Sequence, residues 1–309
     1  MIAIMKRKKT QDRAAVNSEL IRRPIRRAFP AFLLPTFAAF CIGFIYPFCK
    51  GVYLSFCKFT TTSDAKWIGL ENYSKALHDA SFMHAFWYTG LFAIVSLILI
   101  NVLAFTVAYA LTRGIKGSNL FRTVFFMPNL IGGIVLGYIW SMIFNGILSH
   151  YGTAIVLSTK YGFWGLIILM CWQQVGYMMI IYIAGLQSVP EDMIEAAKID
   201  GASKWQTLWR ITIPTVMPSI TICTFLTLTN SFKLFDQNMA LTAGQPFTFA
   251  ADGNTIRTTE MLALNIYNTF YLNATSRGVG QAKAVLFFIL VAVIAFVQLS
   301  GTRRKEVQQ

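Results

Sequence analysis

Long apolar runs separated by short polar connections occupy most of this chain. Six of them approach or exceed the ~20 mostly apolar residues that a helix needs to cross a bilayer. They cover roughly Phe32 to Leu54, Phe86 to Leu111, Phe121 to Phe144, Phe163 to Leu186, Pro214 to Phe235 and Ala284 to Leu299. The pattern predicts an all-α integral membrane protein with six transmembrane helices. Residues 30–301 form the spanning domain, residues 1–29 a polar segment before it and residues 302–309 a short tail after it. Residues 188–213, between spans four and five, are polar yet regularly patterned, which a plain connection does not require.

Composition agrees with this reading: 55% of residues are hydrophobic and 13% charged, with a mean hydropathy of +0.54. A net charge of +14 raises the question of nucleic acid. The basic residues, however, gather beside apolar runs, from Lys6 to Arg27 before the first span and at Arg303, Arg304 and Lys305 after the last. Basic residues in that position anchor spans on the cytoplasmic side against anionic lipid, so nucleic acid is not an expected partner. The same bias sets orientation. Arg113, Lys116 and Arg122 put the loop between spans two and three in the cytoplasm, whereas the next loop has only Lys160 and should face out. Both termini and residues 188–213 are then cytoplasmic, as an even number of spans requires. The polar start and the long run after it do not have the form of a cleavable signal peptide.

Two larger pieces are expected outside. One is Ser55 to His84, with Trp67 and Tyr73 inside it and Trp87 just after it as interfacial anchors. Asp236 to Gln281 carries the turn residues Gly244, Pro246, Gly253 and Asn254, and a short helix is expected over Thr259 to Phe270. The six cores hold essentially no ionisable residue. Ion-coupled carriers place Asp, Glu or His in mid-membrane, so an energy source outside the membrane is favoured. The five cysteines lack metal-type spacing and read as small buried hydrophobes.

Within residues 188–213, Ser188-Val-Pro-Glu191 has the form of a capping box with Pro190 in the first helical turn. That helix would stop at Asp200-Gly201, where Gly201 can take the left-handed conformation. Ser203-Lys-Trp-Gln206 is a second capping box. Trp205, Leu208, Trp209 and Thr212 follow at i, i+3, i+4 and i+7, a stripe able to pack on the membrane domain. Small residues at Ala196, Ala197, Gly201 and Ala202 leave a shallow surface open to another backbone. The result is a helix, a glycine elbow and a second helix at the cytoplasmic surface. An interfacial amphipathic helix without a partner is the alternative.

Glu195-Ala-Ala, Asp200-Gly-Ala and Ile213-Pro214 resemble, in order and spacing, the EAA motif of ABC importer permeases. Ser55-Phe56 with Gly69-Leu-Glu-Asn-Tyr73, Arg122, Pro128 and Trp140, Ser231-Phe-Lys-Leu-Phe-Asp236, and Leu241-Thr-Ala-Gly244 are similar to its carbohydrate-uptake branch, the maltose, glycerol-phosphate and multiple-sugar permeases. The family's phenylalanine falls on Leu208 or Trp209, and Phe247 to Arg257 is inserted relative to the family's pattern. The resemblance implies that residues 188–213 form a coupling helix segment that docks in a cleft of a cytoplasmic ATPase. Glu195, Ala196, Ala197, Asp200, Gly201 and Ala202 would sit at that joint. It further implies a multi-pass permease subunit of a bacterial inner-membrane sugar importer. Its partners would be a second homologous permease, two copies of an ABC ATPase that bind ATP and Mg, and an extracellular or periplasmic solute-binding protein.

The remaining residues bear on the same expectation. No G-x-x-x-x-G-K-[ST] phosphate loop occurs, and no spaced Cys and His set or catalytic motif stands out, so the chain is expected to be no enzyme and to hold no cofactor or metal itself. A sugar path wants aromatic faces with a few placed polar groups. Trp172, Gln173, Gln174 and Tyr177 in span four supply such a mix, as do Thr227, Thr229 and Asn230 in span five. The same residue types also bond membrane helices to one another, and Gly133-x-x-x-Gly137 reads as a close helix contact. Two alternatives stand beside sugar import. One is an ion-coupled secondary transporter. The other is an importer of a polyol or glycerol phosphate, although a phosphate wants Arg or Lys near its path and the cores offer none.

Overall fold

The computed structural model describes Phe29, residues 33–250, Gly253 and residues 255–303. The basic residues 1–28 and 304–309, which contain most of the expected cytoplasmic ends, lie outside the described residues. The chain divides into two units, residues 1–54 and residues 55–309.

From residue 33 on, the first unit is one apolar helix, α1 (Leu33–Ser55), whose last residue opens the second unit. Proline inside a helix removes a donor and its ring collides with the carbonyl four residues back. The chain meets Pro47 with a wide π-turn over Cys41–Ile45, so that Tyr46 N–H reaches the Cys41 carbonyl. The rings of Phe40, Phe44 and Phe48 stack along one face, with centroids 5.2 and 6.1 Å apart.

The second unit begins with a two-residue antiparallel pair, β1 (Cys57–Lys58) and β2 (Lys66–Trp67), with Cys57 opposite Trp67. The helix α2 (Glu71–His78) follows, its Glu71 carboxyl held below the usual range by a 2.7 Å bond from Lys75. The long α3 (Ala80–Leu111) starts earlier than its apolar run because Asp79 caps it, the carboxylate accepting Ser81 N–H at 2.9 Å. Next come α4 (Ser118–Phe126), a 3₁₀ turn over Met127–Leu130, and α5 (Gly133–Leu148). Then follow α6 (Thr159–Gln187), α7 (Glu191–Ile199), α8 (Lys204–Thr215), α9 (Met217–Phe232) and α10 (Asp236–Leu241). The inserted residues form an antiparallel hairpin of β3 (Phe247–Phe249) and β4 (Thr255–Arg257). The helix expected over Thr259 to Phe270 is α11 (Leu262–Tyr271), and α12 (Arg277–Arg303) closes the described chain.

Among the described residues five helices are long and apolar enough to cross a membrane, and a sixth is reached if the bent pair α8 and α9 is taken as one span. Two expected spans differ from the simple reading. The third is not continuous: Pro128 closes α4 in a 3₁₀ turn, and Ile131 and Gly132 run extended before α5 starts. The fifth is bent by 70° at Val216. Its straight part, α9, rises only about 24 Å at 1.5 Å per residue, short of a ~30 Å hydrocarbon core. The cysteines form no disulfide; only Cys57 and Cys223 are fully buried, and Cys49 is exposed, so burial does not explain all five.

Packing centres on α3 against α6. Ile100, Ala104 and Ala108, four residues apart, are fully buried, which is the spacing that brings side chains onto one helix face. Opposite them the Tyr182 ring meets Phe105 edge-on at 5.5 Å, and its hydroxyl donates to Asn101 Oδ1 at 2.7 Å. Small residues let other helices close in. A Cβ on Gly176 of α6 would lie 1.8 Å from the Phe125 carbonyl oxygen of α4. A Cβ on Gly137 would lie 2.5 Å from Ala240 Cβ, so the Gly133 to Gly137 stripe is the close contact expected of it, here with α10.

Candidate functional site

The segment joining α6 to α9 is built almost entirely from local backbone chemistry. The first expected capping box does not form. A residue before proline is steered away from helical backbone, so α7 starts only after Pro190, which is itself the extended N-cap with φ −61° and ψ 132°. The Ser188 hydroxyl turns back and donates to the Gly185 carbonyl at 2.8 Å. Glu191 and Asp192 occupy the first turn, where carboxylates oppose the exposed N–H groups.

The end of α7 follows the expectation. Gly201 has φ +76°, Ala202 N–H reaches the Ala197 carbonyl at 2.9 Å, and Gly201 N–H reaches Lys198 at 3.1 Å. These are the two bonds of a Schellman stop. No atom lies within 4 Å of a Cβ built on Gly201, so the glycine is required by its backbone angle and not by crowding. The second capping box is complete: Gln206 N–H donates to Ser203 Oγ at 3.2 Å, and Ser203 N–H donates to Gln206 Oε1 at 2.8 Å. Only Gly201 and Ala202 lie between Asp200, the C-cap of α7, and Ser203, the N-cap of α8.

The apolar stripe of α8 is rearranged. A π-turn over Leu208–Thr212 sits directly before Pro214, with Ile213 N–H bonded to the Leu208 carbonyl. The extra residue in that turn breaks the 3.6 period. Thr212 is buried, but Trp205 and Trp209 are 67% and 53% exposed and pack edge-on to each other at 5.5 Å. They are not covered by the body as the stripe had suggested.

Six residues had been singled out for the joint. Ala197 is buried, Ala202 half-buried, and Glu195, Ala196, Asp200 and Gly201 are exposed. Ala196, Ala197, Asp200, Gly201 and Ala202 line one groove of about 530 Å³, together with Met193 and Arg210. Glu195 is not part of that lining. Ile199, absent from the sequence analysis, is 86% exposed beside that groove's lining residues on α7.

The residues singled out for a sugar path lie on α6 and α9 and are drawn together in pairs between helices. Gln174 Oε1 accepts from Asn230 Nδ2 at 3.3 Å, and Gln173 Oε1 accepts from Gln237 Nε2 at 2.8 Å. Thr227 Oγ1 accepts from Asn101 Nδ2 at 3.3 Å, beside the Tyr182 bond. Thr229 bonds only within its own helix, to Phe225. Tyr177 is half-buried against the core, and Trp172 is 44% exposed, edge-on to Trp140 at 5.6 Å. Asn101 and Gln237, which complete these pairs, were not anticipated.

Also unanticipated is a buried charged cluster at the end of the molecule remote from α7. Lys283 is 1% exposed and lies 2.6 Å from Asp79 Oδ2, and Glu260 is 3% exposed. The available signal was a single lysine one residue before an otherwise uncharged run.

Residues 107–304 match the family of binding-protein-dependent transport system inner membrane components. The chain is 44% identical, over 78% of its length and 82% of the relative's, to the probable starch degradation products transport system permease protein AmyD of Thermoanaerobacterium thermosulfurigenes. It is 31% identical, over 80% and 84%, to the multiple sugar-binding transport system permease protein MsmF of Streptococcus mutans. In fold it superposes with a TM-score of 0.75 on a chain of a bacterial ABC transporter involved in the import of the acidic polysaccharide alginate, covering 92% and 98% of the two chains at 20% identity. This chain therefore belongs to the family of binding-protein-dependent transport system inner membrane components, as a non-catalytic permease subunit.

Proposed function

We propose that this chain forms one half of the translocation pathway of an ATP-driven importer for sugars or oligosaccharides. The observation that carries the reading is the doubly capped elbow at Gly201 and Ala202, which holds a groove lined by small residues on a polar segment between two spans. Relatives named for starch degradation products and for multiple sugars support the substrate class. Relatives named for sn-glycerol-3-phosphate are more distant, at 26% to 29% identity.

In this reading Pro214 to Phe235, with α9 as its straight part, is the further span that brings the count to six, both termini lie in the cytoplasm, and residues 188–213 are the coupling segment. Residues 30–301 are the transmembrane domain, flanked by basic cytoplasmic ends. A separate ATPase, present twice and carrying ATP and Mg, docks on Glu195, Ala196, Ala197, Asp200, Gly201 and Ala202. A second homologous permease completes the pathway, and a solute-binding protein delivers sugar from outside. A bacterial ABC importer of alginate has been solved with its pentasaccharide-bound periplasmic protein, which supports a partner of that kind. Trp172, Gln173, Gln174, Tyr177, Thr227 and Asn230 contribute to the sugar path. Their paired amides are then released and remade as the helices shift.

Transport follows from two states. ATP on the ATPase and loaded binding protein outside each prefer one state of the permease pair, and each shifts it only by that preference. The test is co-purification with the candidate ATPase and its substrate-stimulated hydrolysis, wild type against Gly201→Asp. The variant is expected to insert but to lose the ATPase or its stimulation. Unchanged association and stimulation would overturn the assignment of this surface and favour an ion-driven carrier.

A further inference from the structure

The Lys283 ammonium has three donors and three acceptors around it: Asp79 Oδ2 at 2.6 Å, Asn265 Oδ1 at 2.9 Å and Thr269 Oγ1 at 2.8 Å. The network continues through the Asn265 amide, which donates to Glu260 Oε2 at 2.7 Å, while Asn268 donates to the other Glu260 oxygen. Arg257 of β4 lies 3.9 Å from Glu260, so the cluster holds two charges of each sign. Asp79 is also the cap of α3, and Ser81 donates to the Thr255 carbonyl in β4. One set of polar contacts thus ties the starts of α3 and α12 to α11 and the β3–β4 hairpin.

Burying an ion pair adds little net stability, because desolvation offsets the attraction, and apolar residues often serve as well. What directional bonds supply and apolar packing does not is a fixed angle. From this cluster α3 runs about 48 Å to Leu111, bonded on the way to Tyr182 of α6, and α6 leads directly into the polar segment.

We propose that Lys283 is a positioning residue for transport: it holds the cap of α11 and the β3–β4 hairpin at a fixed angle on α3 and α12. Force applied to the cap by a loaded binding protein is thereby delivered to the spans. This rests on the importer reading. The test is ATP hydrolysis by the complete reconstituted complex, with and without sugar-loaded binding protein. Lys283→Met is expected to co-purify with its partners and keep basal hydrolysis while the stimulated-to-basal ratio falls about tenfold. The Asp79→Asn, Lys283→Met pair removes both charges and leaves no bare ion. Its stimulation is expected to stay low, because the fixed angle is gone; full recovery would mean that the pair only balances charge, and would overturn the proposal. If Lys283→Met does not assemble, Thr269→Val removes one contact of three and should lower the ratio about threefold. A ratio equal to wild type in whichever variant assembles overturns the proposal alone. A wild-type chain that recruits no ATPase overturns the importer reading, and this inference with it.

Discussion

The two ends of the α3–α6 pair are fixed by opposite means. At one end the elbow between α7 and α8 is exposed and held by bonds that reach at most five residues along the chain. At the other, the Lys283 cluster is buried and joins residues 204 positions apart. An exposed, locally determined joint keeps its shape whatever the rest of the molecule does, so it can be offered to a partner. A buried, long-range cluster exists only when several elements are already in place, so it reports and enforces their arrangement.

Substitutions can test that contrast, and the largest effect belongs to the buried end. Lys283→Met leaves Asp79 without its cation and the Asn265 and Thr269 oxygens without their donor, while Glu260 keeps Arg257. Because the Asp79 side chain is 33% exposed, solvent relieves part of the loss, and a decrease of about 2–3 kcal/mol is expected. Thermal unfolding of the detergent-solubilised chain measures it, and no shift in midpoint would mean that the cluster is not a load-carrying contact. Gly201→Ala comes next, with a decrease of about 1–2 kcal/mol because alanine resists the left-handed angle; Gly201→Asn should fall between the two. Ser203→Ala should lower stability by about 1 kcal/mol through loss of a working cap. Ser188→Ala, at a serine that caps no helix, should stay within about 0.5 kcal/mol of wild type. Equal effects at the two serines would contradict the cap geometry. Smallest of all in stability is Ile199→Ser, with no resolvable change in unfolding, yet it should weaken retention of the ATPase in pull-down if α7 is the docking face.

The same contrast decides what could be read from the chain. Five helices long and apolar enough to span, the glycine stop at Gly201, the Ser203 box and the helix ending at Tyr271 all follow from short-range signals, and all are present among the described residues. Ser188 failed because two local rules compete there, and proline's constraint on its predecessor outweighs the capping pattern. Trp205 and Trp209 turned outward because a π-turn accommodates Pro214, and one extra residue in a turn is enough to undo a period of 3.6. The Lys283 cluster was illegible for a different reason. Asp79, Glu260 and Lys283 sit in three separate segments, and nothing in spacing says that they meet. Asn101 and Gln237 escaped notice likewise, each being the distant half of a pair whose near half had been identified.

The brevity of the elbow has a mechanical consequence. Every backbone N–H from Gly201 to Ser203 is already engaged, so the corner has no slack to take up. The two arms are about 13 Å for α7 and about 18 Å for α8 at 1.5 Å per residue. They form a bell crank whose second arm is about a third longer than the first: a tilt given to the first reaches the Val216 bend turned through a corner, modestly enlarged and with little lost travel.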